Sequence, residues 1–408
     1  MDDIANDRRQ DRRRGNTNPL LQALGPFTRA GGFYARSWGS YLDREPGELP
    51  VARPTIGLAA QALRDELLLA GFTMVRSAPD ATTLDRIARE VVAALEFYAN
   101  QGWLDQPEGF FAPPPPLTDV TVKPVNRMGR AYERLFFDSD YAPHPGEPGR
   151  DRWLNCTRNN REYALVLRHR RPRPWLVCVH GAEMGRAVID PMLFHARYLY
   201  RDLDLNVALP VLPMHGPRAR NAPKSLAYPS EDVLNVVHGT AQAVWDIRRL
   251  LSWIRAQQPD AMIGLNGISL GGFISSLVAS LDDGLSCAIL GVPVVDLVGL
   301  VSRHAGPGHA ALLRTMSSAQ PIGRMISPLA LTPRVPMQGR FIYAGIADRL
   351  VHPREQVTRL WEHWGKPEIQ WYPGGHTGFF RSQPVQRFVD DALVQSGMVD
   401  SSRIRRQR

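Results

Sequence analysis

The stretch Ala261-Met-Ile-Gly-Leu-Asn-Gly267-Ile-Ser269-Leu-Gly271-Gly272-Phe273, running on to Leu281, decides how this chain is read. It carries no charged residue, but its four glycines cluster towards the middle beside Asn266 and several serines. That pattern predicts a strand, a sharp turn and a helix rather than a membrane span. The apolar run Met262–Leu265 supplies the strand, and an amphipathic pattern through Phe273–Leu281 supplies the helix. A serine on such a turn is pushed outward at the end of its strand, and Gly267 and Gly271 flank it because a Cβ there would strike neighbouring backbone. The helix N-terminus behind it offers free N–H groups and the positive end of a dipole.

Outward from this turn, Trp175–Val179, Val207–Leu212, Cys287–Val295 and Phe341–Tyr343 are further apolar runs, as expected of strands buried on both faces. They alternate with the helical stretches Val233–Arg255, Phe273–Leu281 and Arg354–Trp364, which implies an α/β fold with a mostly parallel central sheet and helices on both faces. Upstream, Glu133–Phe137, Arg152–Asn155 and Glu162–Leu167 read as short strands of an antiparallel entry meander. Two helical patterns between Thr55 and Trp103, with Leu58, Leu63, Leu67, Leu68 and Leu69 in the first and Leu84, Ile87, Val91, Leu95 and Tyr98 in the second, end at the run Pro113–Pro116. The expected organisation is an arm with a basic tail over 1–53, a helical N-terminal extension over 54–129, the core over 130–398, and a basic tail over 399–408. No repeat of 20–50 residues is present, which disfavours solenoids and propellers.

The Gly267-x-Ser269-x-Gly271 turn in this setting resembles the nucleophile elbow of the α/β-hydrolase family, and the resemblance covers roughly residues 130–398. That family places nucleophile, acid and histidine in this chain order, on loops at the ends of sheet strands. Ser269 matches the nucleophile. Phe341-Ile-Tyr-Ala-Gly-Ile-Ala-Asp348-Arg-Leu-Val-His-Pro353 looks like the strand that ends in the acid, and Ile369-Gln-Trp-Tyr-Pro-Gly-Gly-His376 like the one that ends in the histidine. Asp296, one strand earlier, is the rival acid. The resemblance implies that His376 takes the proton of Ser269, that Asp348 orients the imidazole, and that the backbone N–H groups of Leu270 and Ala182 hold the oxyanion. Ala182 follows from Val179-His180-Gly181-Ala182-Glu183, which matches the His-Gly step opening the family's oxyanion loop but departs from the lipase HGGG form. His180 is read as a brace for that loop. The implied activity is a serine hydrolase cleaving a carboxylic ester without a cofactor. Thioesterase, peptidase and acyltransferase chemistry on the same triad, or a catalytically silent binding module, are the alternatives.

Beside the triad, Glu183, His215 and Arg218 are candidate substrate contacts, since His215-Gly-Pro-Arg218 follows the strand Val207–Leu212; a turn shaped by Gly216 and Pro217 is the competing reading. Residues 297–337, with Leu297, Leu300, Leu312, Leu313, Met316, Met325, Ile326, Leu329 and Leu331, form an insertion expected either to cover an acyl pocket as a lid or to pack on the core. His304 and His309 have no carboxylate at metal-ligand spacing, so no metal is expected.

Composition sets the remaining bounds. The 408 residues are 44% hydrophobic and 22% charged, near the globular average, which excludes wholesale disorder. Of 49 basic residues only Lys123, Lys224 and Lys366 are lysine, a skew spread along the whole chain, so the net charge of +9 does not argue for nucleic acid. Part of that charge sits near the ends, in Arg8, Arg9, Arg12, Arg13 and Arg14 and in Arg403, Arg405, Arg406 and Arg408, read as solvated tails. Cys156, Cys178 and Cys287 cannot build a disulfide framework, which suits a reducing compartment. No apolar stretch follows the charged N-terminus. The expectation is a cytoplasmic protein with a small ester or acyl substrate, no nucleic-acid partner and no stable membrane insertion.

Overall fold

The computed structural model describes residues 19–43, 50, 51, 53–75, 79–127, 129–305 and 309–405. The chain divides into two compact units. One comprises Met1–Ser77 with the two loops Gly345–Leu350 and Pro373–Gly378; the other comprises Ala78–Ala344, Val351–Tyr372 and Phe379–Arg408.

Among the described residues the larger unit is built on nine strands: β1 (Thr121–Arg127), β2 (Arg130–Asp138), β3 (Arg161–Leu167), β4 (Trp175–Val179), β5 (Asn206–Pro210), β6 (Ile263–Ile268), β7 (Cys287–Gly291), β8 (Arg340–Gly345) and β9 (Glu368–Tyr372). They lie in the order β1-β2-β3-β5-β4-β6-β7-β8-β9. The first three and β5 pair antiparallel, whereas β5, β4, β6, β7 and β8 run parallel. Every residue of β4, β5, β6 and β7 is buried, as the continuous apolar runs require. Along one face Leu176, Cys178, Ile268, Cys287, Ile289, Phe341 and Tyr343 join Phe194, Leu199, Phe388 and Ala392 in one core. On the other face Gly267 meets the helix Leu270–Leu281, so helices cover both sides.

Four expectations change. The arm over 16–53, rich in Gly, Pro, Arg and aromatic residues and therefore expected to be a loop, holds a helix where described: Pro19–Asp43 is helical despite Pro26 and its glycines, and Arg29 Nε lies 2.6 Å from Glu66 on the helix Ile56–Val75 of the same unit. Tertiary contact there outweighs weak propensity. The segment around Arg152–Asn155 is a short helix, Arg150–Leu154, entered through Gly149 at φ 78°, a case in which a brief apolar run does not distinguish strand from helix. Thr121–Arg127 is a strand that the sequence reading passed over. It tolerates Pro124 because it is the sheet edge. The C-terminal tail is docked where described, with Val399 and Ile404 buried in the core and Arg403 paired with Asp204 at 2.6 Å. Residues 1–15 lie outside the described residues.

The two N-terminal helices part company. Ile56–Val75 belongs to the smaller unit, while Ala81–Asn100 packs in the larger one by burying Ile87, Val91, Ala94 and Tyr98. Arg86 of that helix reaches Asp232 at 2.7 Å, and Arg152 reaches Glu90 at 2.7 Å. Residues 297–337 form the helices Leu297–Ala305, Ala310–Ser318 and Gln320–Met325, and the second of these lies against Ala81–Asn100. Their Leu312, Met316, Ile322 and Met325 are buried. No helix among the described residues is long and apolar enough to cross a membrane.

Candidate active site

In the larger unit, Ser269 sits between the end of β6 and the helix Leu270–Leu281 with φ 57° and ψ −115°. This is a backbone region that costs a non-glycine residue about 1–3 kcal/mol. The surroundings hold it there: its N–H donates to the Gly291 carbonyl at 2.8 Å, and its carbonyl accepts from Phe273 at 3.0 Å. A Cβ on Gly267 would overlap the Gly271 carbonyl, and one on Gly271 would overlap the Val179 carbonyl. The two motif glycines therefore let helix, elbow and β4 approach backbone to backbone. Ser269 is half-buried between the fully buried Ile268 and Leu270.

The register of β4 on β6 pairs Val179 with Gly267, which brings the loop after β4 beside the elbow. A Cβ on Gly181 would lie 3.4 Å from Ser269 Cβ. Ala182 follows, half-buried, and Leu270 is the first residue of its helix, with no carbonyl four positions back inside that helix to occupy its N–H. Glu183 is exposed on the next turn at φ 62°.

His180 is the brace that the sequence suggested. Its Nε2 accepts from the Leu212 N–H at 3.0 Å, which leaves the proton on Nδ1 to donate to the Gly181 carbonyl at 2.7 Å. Burial, then the neighbouring His215 and Arg218, push its pKa down to about 3, so it stays neutral and ties the loops after β4 and β5 together.

Arg218 does not face substrate. Its side chain is fully buried, with its guanidinium hydrogen-bonded to Glu162, 2.9 Å from Asp246, and donating to the carbonyls of Asn159 at 2.6 Å and Val211 at 2.9 Å. A guanidinium so occupied has no donors left for a ligand. His215 is also buried and donates through Nδ1 to the Pro213 carbonyl at 2.8 Å. Arg218 is thereby corrected to a structural role. The sequence placed their loop, but the buried carboxylates on β3 and the helix Val233–Gln257 decide which way Arg218 points.

The smaller unit contains the loops that follow β8 and β9. Asp348 Oδ2 accepts from His376 Nδ1 at 2.7 Å, and Asp348 Oδ1 accepts from the Leu350 N–H at 2.9 Å. The Ala347 N–H donates to the Gly374 carbonyl at 3.0 Å, joining the two loops. Burial disfavours the charged imidazole of His376. The charge and hydrogen bond of Asp348, and then the charge of Asp65, outweigh it and hold the pKa above the ordinary histidine value. The rival acid is engaged elsewhere: Asp296 Oδ1 accepts from the Gly299 N–H at 2.7 Å, capping the helix Leu297–Ala305, and its Oδ2 lies 3.7 Å from Arg359.

Asp65 was missed. Together with Leu58, Ala62 and Glu66 it forms the buried stripe of the helix Ile56–Val75, at the spacing of one helical face. A carboxylate pair at positions where the period demands apolar residues was the available signal.

A mostly parallel sheet of this strand order, with a strained serine elbow after β6, an acid after β8 that bonds a histidine after β9, and helices on both faces, settles the fold. The chain has the α/β-hydrolase fold. No family model matches it. It belongs to one family with two uncharacterized proteins of Mycobacterium tuberculosis, 64% and 63% identical over 392 residues, which is 96% of this chain and 95% of each relative. Among solved structures it is similar to acetyl xylan esterase 1 from Thermoanaerobacterium sp. (TM-score 0.49, 14% identity, 74% of this chain and 93% of that one). It is also similar to an acetyl xylan esterase from Paenibacillus sp. R4 (0.49, 16%, 73% and 94%). An acylaminoacyl peptidase from Pyrococcus horikoshii overlaps less (0.38, 13%, 66% and 39%). Overlaps of this extent say nothing about what this chain acts on.

Proposed function

We propose that this α/β-hydrolase is a serine hydrolase that cleaves a carboxylic ester through an acyl-enzyme. The observation that carries the reading is the backbone of Ser269. A serine is held at φ 57° and ψ −115° between two close-packed glycines, at a position where glycine itself would carry no strain. In the proposed reaction the Ser269 Oγ attacks the ester carbonyl while His376 accepts its proton as general base. Asp348, bonded to Nδ1, keeps the basic nitrogen at Nε2 and stabilises the imidazolium as it forms. The N–H groups of Leu270 and Ala182 take the negative charge that grows on the carbonyl oxygen, each worth about 10²–10³ in turnover. The imidazolium returns its proton to the leaving alcohol, and a water deprotonated by His376 releases the acid. Exposed Glu183 stands at the rim of the same loop, where it meets a polar part of the substrate.

The partner in this reading is a small ester or acyl compound, with no nucleic acid. Three buried and free cysteines favour the cytoplasm. The test is a series of p-nitrophenyl esters of graded acyl length, run beside a matched thioester and anilide, on the wild-type chain and Ser269→Ala. Ester turnover that the variant lacks supports the reading. Turnover of the anilide alone makes the protein a peptidase, and no turnover of any of them favours a binding module.

A further inference from the structure

The helix Ile56–Val75 grips both loops of the smaller unit. Asp65, 1% exposed, uses the single oxygen Oδ2 to accept from the N–H of His376 at 2.7 Å and from the N–H of Arg349, the residue after Asp348, at 3.1 Å. One turn earlier, Gln61 Oε1 accepts from the Gly375 N–H at 2.9 Å. Beside it, Glu66 receives Arg349 Nε at 3.1 Å and Arg29 Nε at 2.6 Å. The fit around Asp65 is tight: a Cβ on Gly375 would lie 2.5 Å from its Oδ2. One carboxylate oxygen therefore fixes the backbone of the histidine and the backbone next to its acid partner at once.

We propose that Asp65 is a positioning residue for the Asp348–His376 pair, setting the separation of the two loops and adding a second negative charge beside the imidazole. The proposal rests on the serine-hydrolase reading of His376, and it gives the N-terminal helix a catalytic purpose. A neutral staple would satisfy the two N–H groups equally well, so the charge is what distinguishes positioning with electrostatic effect from simple bracing. The charged groups facing Asp65 are Asp348, His376 and Arg349, with Glu66 and Arg29 beyond them. Burial, then the charge of Asp348, push the Asp65 carboxyl up to about 6, while the charge of His376 and the two N–H donors pull it down. In the other direction, the charge of Asp65 helps to raise the pKa of His376.

The experiment uses the full chain, short p-nitrophenyl esters, and NMR titration of the His376 ring. Asp65→Ala removes the acceptor and lets the loops drift; kcat is expected to fall about 10²-fold, with KM changed far less. Asp65→Asn keeps an oxygen at the same place without the charge. It is expected to recover most of that loss and to move the acidic limb of kcat/KM to lower pH, because His376 loses a charge that favours its protonated form. The His376 ring should titrate at lower pH in Asp65→Asn than in the wild type. An unchanged His376 titration, or wild-type kcat in Asp65→Ala, overturns the proposal. If Asp65→Ala does not fold, Asp65→Asn decides alone. If the wild type hydrolyses no ester, the serine-hydrolase reading fails on its own, and the ring titration still decides whether Asp65 acts on that imidazole.

Discussion

Replacing Arg218 by methionine removes the guanidinium that bridges Glu162 and Asp246, which are 1% and 3% exposed. The methionine fills most of the volume, so the change tests charge and hydrogen bonding rather than packing. Breaking a buried ion network by deleting one partner costs about 3–5 kcal/mol. The carbonyls of Asn159 and Val211 also lose their donors. Against a total stability of about 5–15 kcal/mol, this is a severe change.

The sign of its pH dependence follows from the carboxylates. Burial pushes Glu162 up to about 8 even with Arg218 present to lower it, and burial likewise raises Asp246. Without Arg218 both rise further. A carboxyl whose folded pKa exceeds its unfolded value stabilises the fold below the unfolded pKa and loses that contribution as pH climbs through the folded one. The deficit of Arg218→Met should therefore widen as pH climbs through about 8, where wild-type Glu162 ionises beside Arg218 and the variant's Glu162 stays protonated. Urea unfolding followed by tryptophan fluorescence at three pH values measures it, with ester KM recorded in parallel. A variant as stable as wild type but with a raised KM would refute the structural role and return Arg218 to the substrate.

Two further outcomes follow from the elbow and the acid. Ser269→Gly should abolish hydrolysis yet stabilise the fold by about 1 kcal/mol, because glycine adopts φ 57° without the strain, whereas Ser269→Ala should be inactive without that gain; thermal melts of both variants compare them. Asp348→Asn should cost about 10⁴ in kcat by disturbing the histidine tautomer. Asp296→Asn should cost only a fraction of a kcal/mol in stability by weakening a helix cap, which kinetics and unfolding on the same samples will separate.

The sheet and elbow were legible because their signals are local. An apolar strand followed directly by Gly267-Ile-Ser269-Leu-Gly271 has few alternative structures, and the Asp348 and His376 loops are marked by their order along the chain. Side-chain direction was not legible. His215 and Arg218 lie on a loop at the expected end of β5, but the carboxylates that hold Arg218 come from β3 and from the helix Val233–Gln257. Asp65 was hidden more deeply. It stands next to Arg64 and Glu66 in a leucine-rich helix and so resembles a surface charge, and its partners are 311 and 284 residues away. The helix Pro19–Asp43 was obscured by its glycines and Pro26, residues that locally argue against the structure that tertiary contacts maintain.

The central claim is that Ser269 is an activated nucleophile, and labelling by a fluorophosphonate tests it most directly. Folded wild-type protein should form a stoichiometric adduct that maps to Ser269 by mass spectrometry, at a rate that falls as pH drops through the pKa of His376, and Ser269→Ala should form none. Folded protein that takes no label, or takes it at another residue, contradicts the account.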